Sequence, residues 1–94
     1  MLVLRIEHAV PDFGAWKRAF DSDPLNRKQS GVRRYRILRS TDGQGFVTVD
    51  LELESQVEAE ALHAALRKLW GHVQGQIIGR PEARIFELVE NGEC

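Results

Sequence analysis

The sequence predicts one α+β domain over residues 1–94, with elements in the order strand, helix, strand, strand, helix, strand. Three segments, residues 2–8, 32–39 and 46–53, alternate branched apolar with polar side chains, as strands half buried in a sheet do. Two segments, which follow Asp12 and Ser55, instead repeat apolar side chains every three or four residues, as helices do. A chain of 94 residues has room for one such domain.

The first strand is expected over residues 2–8 and the first helix from Asp12. One side of that strand carries three aliphatic side chains and an imidazole: Leu2, Leu4, Ile6 and His8. Asp12 can accept hydrogen bonds from first-turn amides and favours the positive end of a helix. The helix presents a single apolar stripe, made of Phe13, Trp16 and Phe20. It ends before Pro24, because the residue that precedes a proline is pushed out of the α region.

Two further strands are expected over residues 32–39 and 46–53, joined by a turn at residues 41–45. The turn segment, Thr-Asp-Gly-Gln-Gly, consists largely of residue types that favour tight turns. The strand that follows alternates without interruption. Its two sides are Val47, Val49, Leu51 and Leu53, and Phe46, Thr48, Asp50 and Glu52.

A capping box predicts the start of the second helix, because the Ser55 hydroxyl and the Glu58 carboxylate can each satisfy a free backbone amide. The apolar positions that follow keep helical spacing: Leu62, Leu66, Leu69, Trp70 and Val73. The helix is expected to end between Gly71 and Gly75. A last strand is expected over residues 83–90, followed by a loose tail.

Right-handed crossovers fold this order into an antiparallel four-stranded sheet with both helices on one face, the ferredoxin-like βαββαβ sandwich. The side chains expected to face the helices are Leu2, Leu4, Ile6, Val47, Val49, Leu51, Phe86 and Leu88. The open face is expected to carry Val3, Arg5, Glu7, Arg34, Arg36, Leu38, Phe46, Thr48, Asp50, Glu52, Ile85, Glu87 and Val89.

The mixed character of this open face predicts self-association. A face that stays in solvent would carry fewer apolar side chains, whereas apolar groups interleaved with charges of both signs suit a surface that meets a copy of itself. We therefore expect a homodimer that pairs sheet to sheet. The expected contacts are Arg5, Glu7, Arg34, Arg36, Phe46, Thr48, Asp50, Glu52 and Glu87.

Composition and cysteine count restrict the expected binding partners and the expected cellular compartment. Thirteen Lys and Arg against 14 Asp and Glu leave a net charge of −1, which offers no bulk attraction to nucleic acid or to a membrane surface. The single cysteine, Cys94, allows no internal disulfide, and secreted domains this small usually carry several, so a cytoplasmic location is expected. The three histidines form no metal-binding motif, and no cofactor is expected.

RNA binding and anion binding are the two alternatives that this topology and charge pattern raise. RNA-binding domains of this topology stack bases on aromatic side chains of the central strands, but here those positions fall on Val3 and Thr48. The arginine-rich residues 27–39 are a candidate phosphate or carboxylate site, because guanidinium groups grip such anions in two places. Charges that protect an edge strand from further pairing explain the same segment and are the favoured interpretation.

His8 is the strongest candidate for chemistry. It continues the helix-facing row of the first strand and lies near the start of the first helix, where a cleft can open between sheet and helices. An imidazole there can act as a general acid or base. The residues expected to line the cleft are Trp16, Phe20, Tyr35, Trp70 and His72. For the aromatic residues at helical spacing, a place in the ordinary core is the competing hypothesis.

Four segments of the chain resemble the dimeric α+β barrel superfamily, which includes antibiotic-biosynthesis monooxygenases and small polyketide cyclases. They are the strand that ends in His8, residues 12–21, residues 30–39, and residues 47–53 before the Ser55 capping box. The resemblance covers nearly the whole chain and is strongest to the short members of that group. It implies two subunits joined sheet to sheet as an α+β barrel, with a cleft between the sheet and the helices of each subunit.

The resemblance implies two functional hypotheses. The first is a cofactor-independent monooxygenase- or cyclase-like enzyme, in which His8 acts on a small apolar or aromatic ligand that Tyr35 orients. The pocket asparagine of the monooxygenases has no counterpart here, since the chain contains only Asn26 and Asn91. His72 is the position that matches the second histidine of the cyclases. The second hypothesis is a non-catalytic dimerisation or regulatory module without a substrate.

Overall fold

The computed structural model describes residues 1–73 and 80–94. Its strands are β1 (Leu2–Ala9), β2 (Arg34–Arg39), β3 (Phe46–Leu53) and β4 (Glu82–Glu87), and its helices are α1 (Phe13–Asp21) and α2 (Gln56–Val73). The strands pair in the order β2-β3-β1-β4, and every pairing is antiparallel. This is the ferredoxin-like sandwich, so the predicted fold class is confirmed.

Both helices begin at the predicted caps. The Asp12 carboxylate accepts a hydrogen bond from the amide of Ala15 at 3.1 Å, and the Ser55 hydroxyl accepts one from the amide of Glu58 at 3.2 Å. The Glu58 carboxylate, which was predicted to accept from a free backbone amide of the capping box, lies instead against Gly31, where an added Cβ would come within 2.6 Å of it. Gly31 also has a φ of 101°, so both its backbone and its neighbour require glycine.

Three strands differ in length from the prediction, and the end of α2 is only partly described. β1 extends one residue further, to Ala9. β2 begins at Arg34 rather than Val32, although the amide of Arg33 already donates to the carbonyl of Glu52 at 2.8 Å. β4 ends at Glu87, after which the amide of Leu88 donates to the carbonyl of Met1 at 2.9 Å. The helix α2 reaches Val73, and the rest of the predicted end, toward Gly75, lies outside the described residues.

The two central strands present the predicted faces. Leu4 and Leu53 are fully buried on the side that the helices cover, and Val47 is 1% exposed there. On the other side, Arg5 is the register partner of Asp50 and Val3 that of Glu52. Strict alternation on β1 and β3 therefore sorts apolar from charged side chains correctly, because opposed residues of an antiparallel pair share a face.

For β4 the predicted faces were wrong by one residue. Ile85 is the register partner of Leu4 and packs against the core, whereas Phe86 is the partner of Val3 on the open face. Glu87, expected among the dimer contacts, pairs with Leu2 and belongs to the helix side. The segment contains two adjacent apolar pairs, Ile-Phe and Leu-Val, so its pattern fits either register, and a slip of one residue turns every side chain over.

The core lies between the sheet and the helices. Trp16 of α1 and Leu62 of α2 are buried in it together with the inner side chains of β1 and β3. Burying aliphatic and aromatic side chains in this way is the main term that stabilises a domain of this size. Within residues 1–73 and 80–94, neither helix is long and apolar enough to cross a membrane.

Candidate functional site

A cavity of about 310 Å³ lies between the sheet and the two helices. The sheet contributes Ile6, Val49 and Leu51 to its wall, α1 contributes Trp16 and Phe20, and α2 contributes Leu62, Leu66, Leu69 and Trp70. The loop after α1 closes one side with residues 22–25 and Arg27. The walls are thus largely apolar, and the volume is at the small end of the range, ~300–1,000 Å³, that small-molecule sites occupy.

His8 lines this cavity from the C-terminal end of β1. It is 3% exposed, and its ring lies tilted against the indole of Trp16 with 5.8 Å between the ring centroids. Burial lowers the pKa of His8 below its usual 6.5, although the carbonyl of Ala9 opposes that effect. His8 is therefore a neutral imidazole at neutral pH.

The hydrogen-bond partner of one ring nitrogen of His8 indicates which nitrogen carries the proton and which can accept one. Nδ1 lies 3.4 Å from the carbonyl oxygen of Ala9, an acceptor, which favours the tautomer with the proton on Nδ1. Nε2 then carries the free lone pair. An imidazole in this state can accept a proton or a hydrogen bond from a molecule in the cavity.

Two residues of the aromatic stripe of α1, Trp16 and Phe20, form part of the cavity wall. The ring centroids of Phe13 and Trp16 are 5.6 Å apart, and those of Trp16 and Phe20 are 5.4 Å apart, all in tilted arrangements. Trp16 is buried in the core, and both Trp16 and Phe20 line the cavity. The two hypotheses for these residues, core and cleft, are therefore compatible.

Two of the predicted cavity residues lie elsewhere. Tyr35 projects from the edge strand β2, is half exposed, and packs edge-on against Phe20 at 5.1 Å between centroids. It lines a separate depression beside the loop before β2. His72 is exposed in the last turn of α2. The cavity wall thus contains His8, Trp16, Phe20 and Trp70 of the predicted set.

Arg27 is a cavity residue that sequence analysis assigned only to an arginine-rich segment. Its guanidinium carbon lies 3.9 Å from the centroid of the Phe20 ring, and its Nη1 donates to the carbonyl of Phe20 at 2.8 Å. The carboxylate of Asp23 accepts from the Arg27 amide at 2.9 Å. Asp23 adopts a left-handed φ of 52°, which turns the loop back over α1. In the sequence, the four-residue spacing of Asp23 and Arg27 was the feature that could have indicated their ion pair.

On the open face, Asp50 forms the centre of an ion-pair cluster. Arg5 donates to it from Nε at 2.7 Å and from Nη2 at 2.8 Å, and Arg36 donates from Nη2 at 3.0 Å. Asp50 is only 3% exposed because these two side chains cover it. The hydrogen bonds from Arg5, and to a lesser degree from Arg36, hold the pKa of Asp50 below its usual value.

The other side chains predicted as dimer contacts also lie on the open face, apart from Glu87. Arg34 pairs with Glu52 at 3.3 Å, and Leu38, Phe46 and Phe86 are each more than two-fifths exposed. By strand register, this face carries every predicted contact except Glu87: Arg5, Glu7, Arg34, Arg36, Phe46, Thr48, Asp50 and Glu52.

Comparisons with known proteins show likeness only at the level of structure. No family model matches the chain, and no curated protein does. A variant of MhuD with two manganese protoporphyrin IX molecules bound per active site is 18% identical, with 100% of each chain covered and a TM-score of 0.68. A candidate antibiotic biosynthesis monooxygenase from Nitrosomonas europaea is 20% identical over 96% of this chain and 100% of its own, with a TM-score of 0.66.

A third solved structure, a dimeric ferredoxin-like protein from an uncultured marine organism, is 10% identical over 99% of this chain and 91% of its own, with a TM-score of 0.71. These proteins belong to the group that the sequence resembles. The chain has their fold. At these identities the likeness concerns the fold, and function has to be argued from the site.

Proposed function

We propose that this chain forms a homodimer that binds a compact aromatic molecule in the cavity between sheet and helices, with His8 as general base or acid. One observation carries the proposal: a nearly fully buried, neutral imidazole stands in a cavity whose walls are largely apolar. Such walls favour a hydrophobic ligand, and the aromatic side chains among them favour an aromatic one. Nε2 of His8 offers that ligand a proton acceptor.

The chemistry that fits this arrangement begins with removal of a proton. A phenol or an enolisable ketone that gives its proton to His8 becomes an electron-rich anion inside the cavity. Such an anion can react with dioxygen, as in a cofactor-independent monooxygenase, or with a carbonyl of the same molecule, as in a cyclase. Because burial lowers the pKa of His8, the imidazole is unprotonated at neutral pH and its free lone pair can accept a proton.

The open face supports the dimer part of the proposal. Three large apolar side chains, Leu38, Phe46 and Phe86, are exposed on it beside an ion-pair cluster. Leu38 and Phe46 lie near each other on the neighbouring strands β2 and β3, and exposed apolar side chains that cluster in this way often mark an interaction site. Structural neighbours that are named as dimeric ferredoxin-like proteins have the same fold.

Tryptophan fluorescence tests ligand binding directly, because both tryptophans of the chain, Trp16 and Trp70, line the cavity. Titration with 1-naphthol is expected to change their emission in a saturable way. His8→Ala is expected to weaken binding, whereas His63→Ala serves as a matched control, since His63 is half-buried on α2 and is not among the residues that line the cavity. Unchanged 1-naphthol affinity in His8→Ala would contradict the proposed contact.

Oxidation of anthrone tests catalysis. Anthrone and dioxygen give anthraquinone and water, and the reaction begins with loss of a proton from carbon. The wild-type chain is expected to accelerate oxygen uptake, and His8→Ala is expected to lose roughly 100-fold or more of that rate. His63→Ala is expected to retain it. A parallel titration with hemin separates a metalloporphyrin-binding chain from one that binds a metal-free aromatic molecule.

The alternative is a non-catalytic dimerisation or regulatory module. The separation of Tyr35 and His72 from the cavity favours it, because the cavity then contains one imidazole without a second histidine. In that case the chain dimerises, neither 1-naphthol nor hemin changes tryptophan emission, and His8→Ala leaves all these measurements unchanged.

A further inference from the structure

Arg27 lies at the boundary between the cavity and the depression beside the loop before β2. It lines both of them, as does Asp23. The guanidinium carbon lies 3.9 Å from the ring centroid of Phe20, which belongs to the cavity wall, and 5.2 Å from that of Tyr35, which lines the depression. The guanidinium group thus separates a largely apolar cavity from a depression that is lined mostly by charged and polar side chains.

Only part of the hydrogen-bonding capacity of Arg27 is used inside the chain. A guanidinium group carries five N–H donors. Nη1 donates to the carbonyl of Phe20 at 2.8 Å and lies 3.4 Å from a carboxylate oxygen of Asp23, which also accepts from the Arg27 amide. Nε and Nη2 have no hydrogen-bond partner among residues 1–73 and 80–94. These two nitrogens are therefore available to an acceptor on a bound molecule.

Positive charge is in excess around Arg27. The side chains that line the depression include four cations and two carboxylates: Arg27, Lys28, Arg33 and Arg34, and Asp23 and Glu58. Arg33 and Arg34 pair with glutamates on the exposed surface, whereas over the described residues no ion pair within 4.0 Å engages Lys28. Protection of an edge strand does not explain Arg27 or Lys28, because β2 begins only at Arg34.

We propose that Arg27 binds an acidic group of the ligand, so that the cavity selects compact aromatic acids over neutral aromatic molecules. This inference rests on the proposed function and specifies its substrate class. The ring system of the ligand lies among the apolar walls, and its carboxylate contacts the N–H groups of Arg27 at the boundary of the depression. A guanidinium group can hold one carboxylate through two parallel hydrogen bonds. A carboxylic acid is ionised at neutral pH, as this contact requires.

The wall of the cavity also relates Arg27 to His8. Four planar groups follow one another along it: His8, Trp16, Phe20 and Arg27. The ring centroids of His8 and Trp16 are 5.8 Å apart, and those of Trp16 and Phe20 are 5.4 Å apart. Two aromatic side chains therefore lie between the imidazole and the guanidinium group. A flat molecule that spans this row has its carboxylate at one end and the proton that His8 removes at the other.

Isothermal titration calorimetry with three related probes tests the selection of acids. The first is 6-hydroxy-2-naphthoic acid, which carries a hydroxyl group and a carboxylate at opposite ends of two fused rings. Its methyl ester keeps the rings and the hydroxyl group without the charge, and 2-naphthol lacks the carboxyl group altogether. We expect the wild-type chain to bind the acid roughly tenfold or more tightly than the ester. This preference should decrease when NaCl is raised from about 50 mM to about 500 mM, because salt screens the contact.

Two substitutions should change the preference for the acid in opposite directions. Arg27→Met removes the charge, keeps an unbranched side chain that can pack on Phe20, and is expected to abolish the preference. Asp23→Asn removes a negative charge from the same boundary, and asparagine tolerates the left-handed φ of 52° at that position. It is expected to increase the preference roughly threefold or more. Arg67→Met on α2 and Asp21→Asn on α1 change exposed side chains, serve as the matched controls, and are expected to keep the wild-type preference.

The three probes separate failure of this inference from failure of the proposed function. Equal affinity of the wild-type chain for the acid and the ester would overturn the inference, while the cavity would still bind an aromatic molecule. A preference that survives Arg27→Met, or that Arg67→Met reduces as strongly, would overturn the assignment to Arg27. A wild-type chain that binds none of the three probes would overturn the proposed aromatic ligand together with its acidic group.

Discussion

The two faces of the sheet each bury one polar side chain, and the two side chains have opposite charge states: one is neutral and the other is charged. His8 on the helix side and Asp50 on the open side are both 3% exposed. Apolar neighbours surround the imidazole, and burial lowers its pKa so that it stays neutral. Two guanidinium groups surround the carboxylate, and their hydrogen bonds lower its pKa so that it stays charged. Equal burial therefore produces opposite charge states, because the partners decide which form is favoured.

This difference separates two tasks on one sheet. The helix side keeps a neutral proton acceptor in a largely apolar cavity, which suits chemistry on a bound molecule. The open side fixes charges at defined positions, which suits recognition of a complementary surface. Adjacent residues of β3 show the division most directly: Val49 lines the cavity and Asp50 forms the ion-pair cluster.

The largest expected effect comes from moving the charge of Asp50 to the wrong face. Val49→Asp places a carboxylate one residue away, on the buried helix side of the sheet and away from Arg5 and Arg36. We expect a loss of more than about 4 kcal/mol in the free energy of unfolding, a large part of the ~5–15 kcal/mol of a typical domain. Urea unfolding by circular dichroism measures it. If Val49→Asp costs no more than Val49→Ala, position 49 is less buried in solution than its 2% exposure indicates.

Removal of one guanidinium group tests the opposite face. Arg5→Met leaves Asp50 buried with Arg36 alone, and we expect a loss of about 2–3 kcal/mol at pH 7. Because the pKa of Asp50 lies below its usual 3.8, this stability is present above pH 3.8 and is lost as the pH falls through the lower folded-state pKa. The stability difference from wild type should therefore shrink in acid.

Arg34→Met is the matched control for Arg5→Met, since its exposed pair with Glu52 contributes at most about 1 kcal/mol. Equal losses in the two variants, or a loss in Arg5→Met that does not change with pH, would show that Asp50 does not depend on Arg5.

A smaller, pH-dependent effect is expected from His8. Its folded-state pKa is below 6.5, so the unfolded chain binds the proton first as the pH falls. Stability should decrease from pH 6.5 downward until the folded-state pKa is reached, and it should not change through this group above pH 6.5. Thermal melting between pH 5 and pH 8 measures the slope.

His8→Gln should remove this part of the slope, whereas His63→Gln should retain it, although burial also lowers the pKa of His63. A slope that survives His8→Gln unchanged means that the imidazole is not held neutral by the fold.

The smallest expected effect concerns the cap of the helix that covers the cavity. Ser55→Ala removes the acceptor of the Glu58 amide, and we expect a loss of about 1 kcal/mol, measured as a lower melting temperature. Thr41→Ala, in the exposed turn before β3, is the control and is expected to be neutral within ~0.5 kcal/mol. Equal melting temperatures of the two variants would show that the cap contributes nothing.

Local pattern determined most of the fold and part of the site. Strict alternation on β1 and β3 assigned Leu4, Asp50 and their neighbours to the correct faces, and the caps at Asp12 and Ser55 were predicted from residue type and spacing alone. The position of His8 on the helix side follows from the same alternation. These features depend on residues that are close together in the chain, and the two-residue period of a strand or the 3.6-residue period of a helix determines which way such residues point.

Only the tertiary structure decided the rest. The face of β4 depended on its pairing with β1, because adjacent apolar residues such as Ile85 and Phe86 satisfy either register. Arg27 reached the cavity because left-handed Asp23 and Asn26 turn the loop back over α1. Asp50 became buried because Arg5, 45 residues away in the chain, lies beside it in the sheet. Sequence periodicity specifies a side chain's direction within its own element, whereas its neighbours across strands and loops are set by how the elements pack.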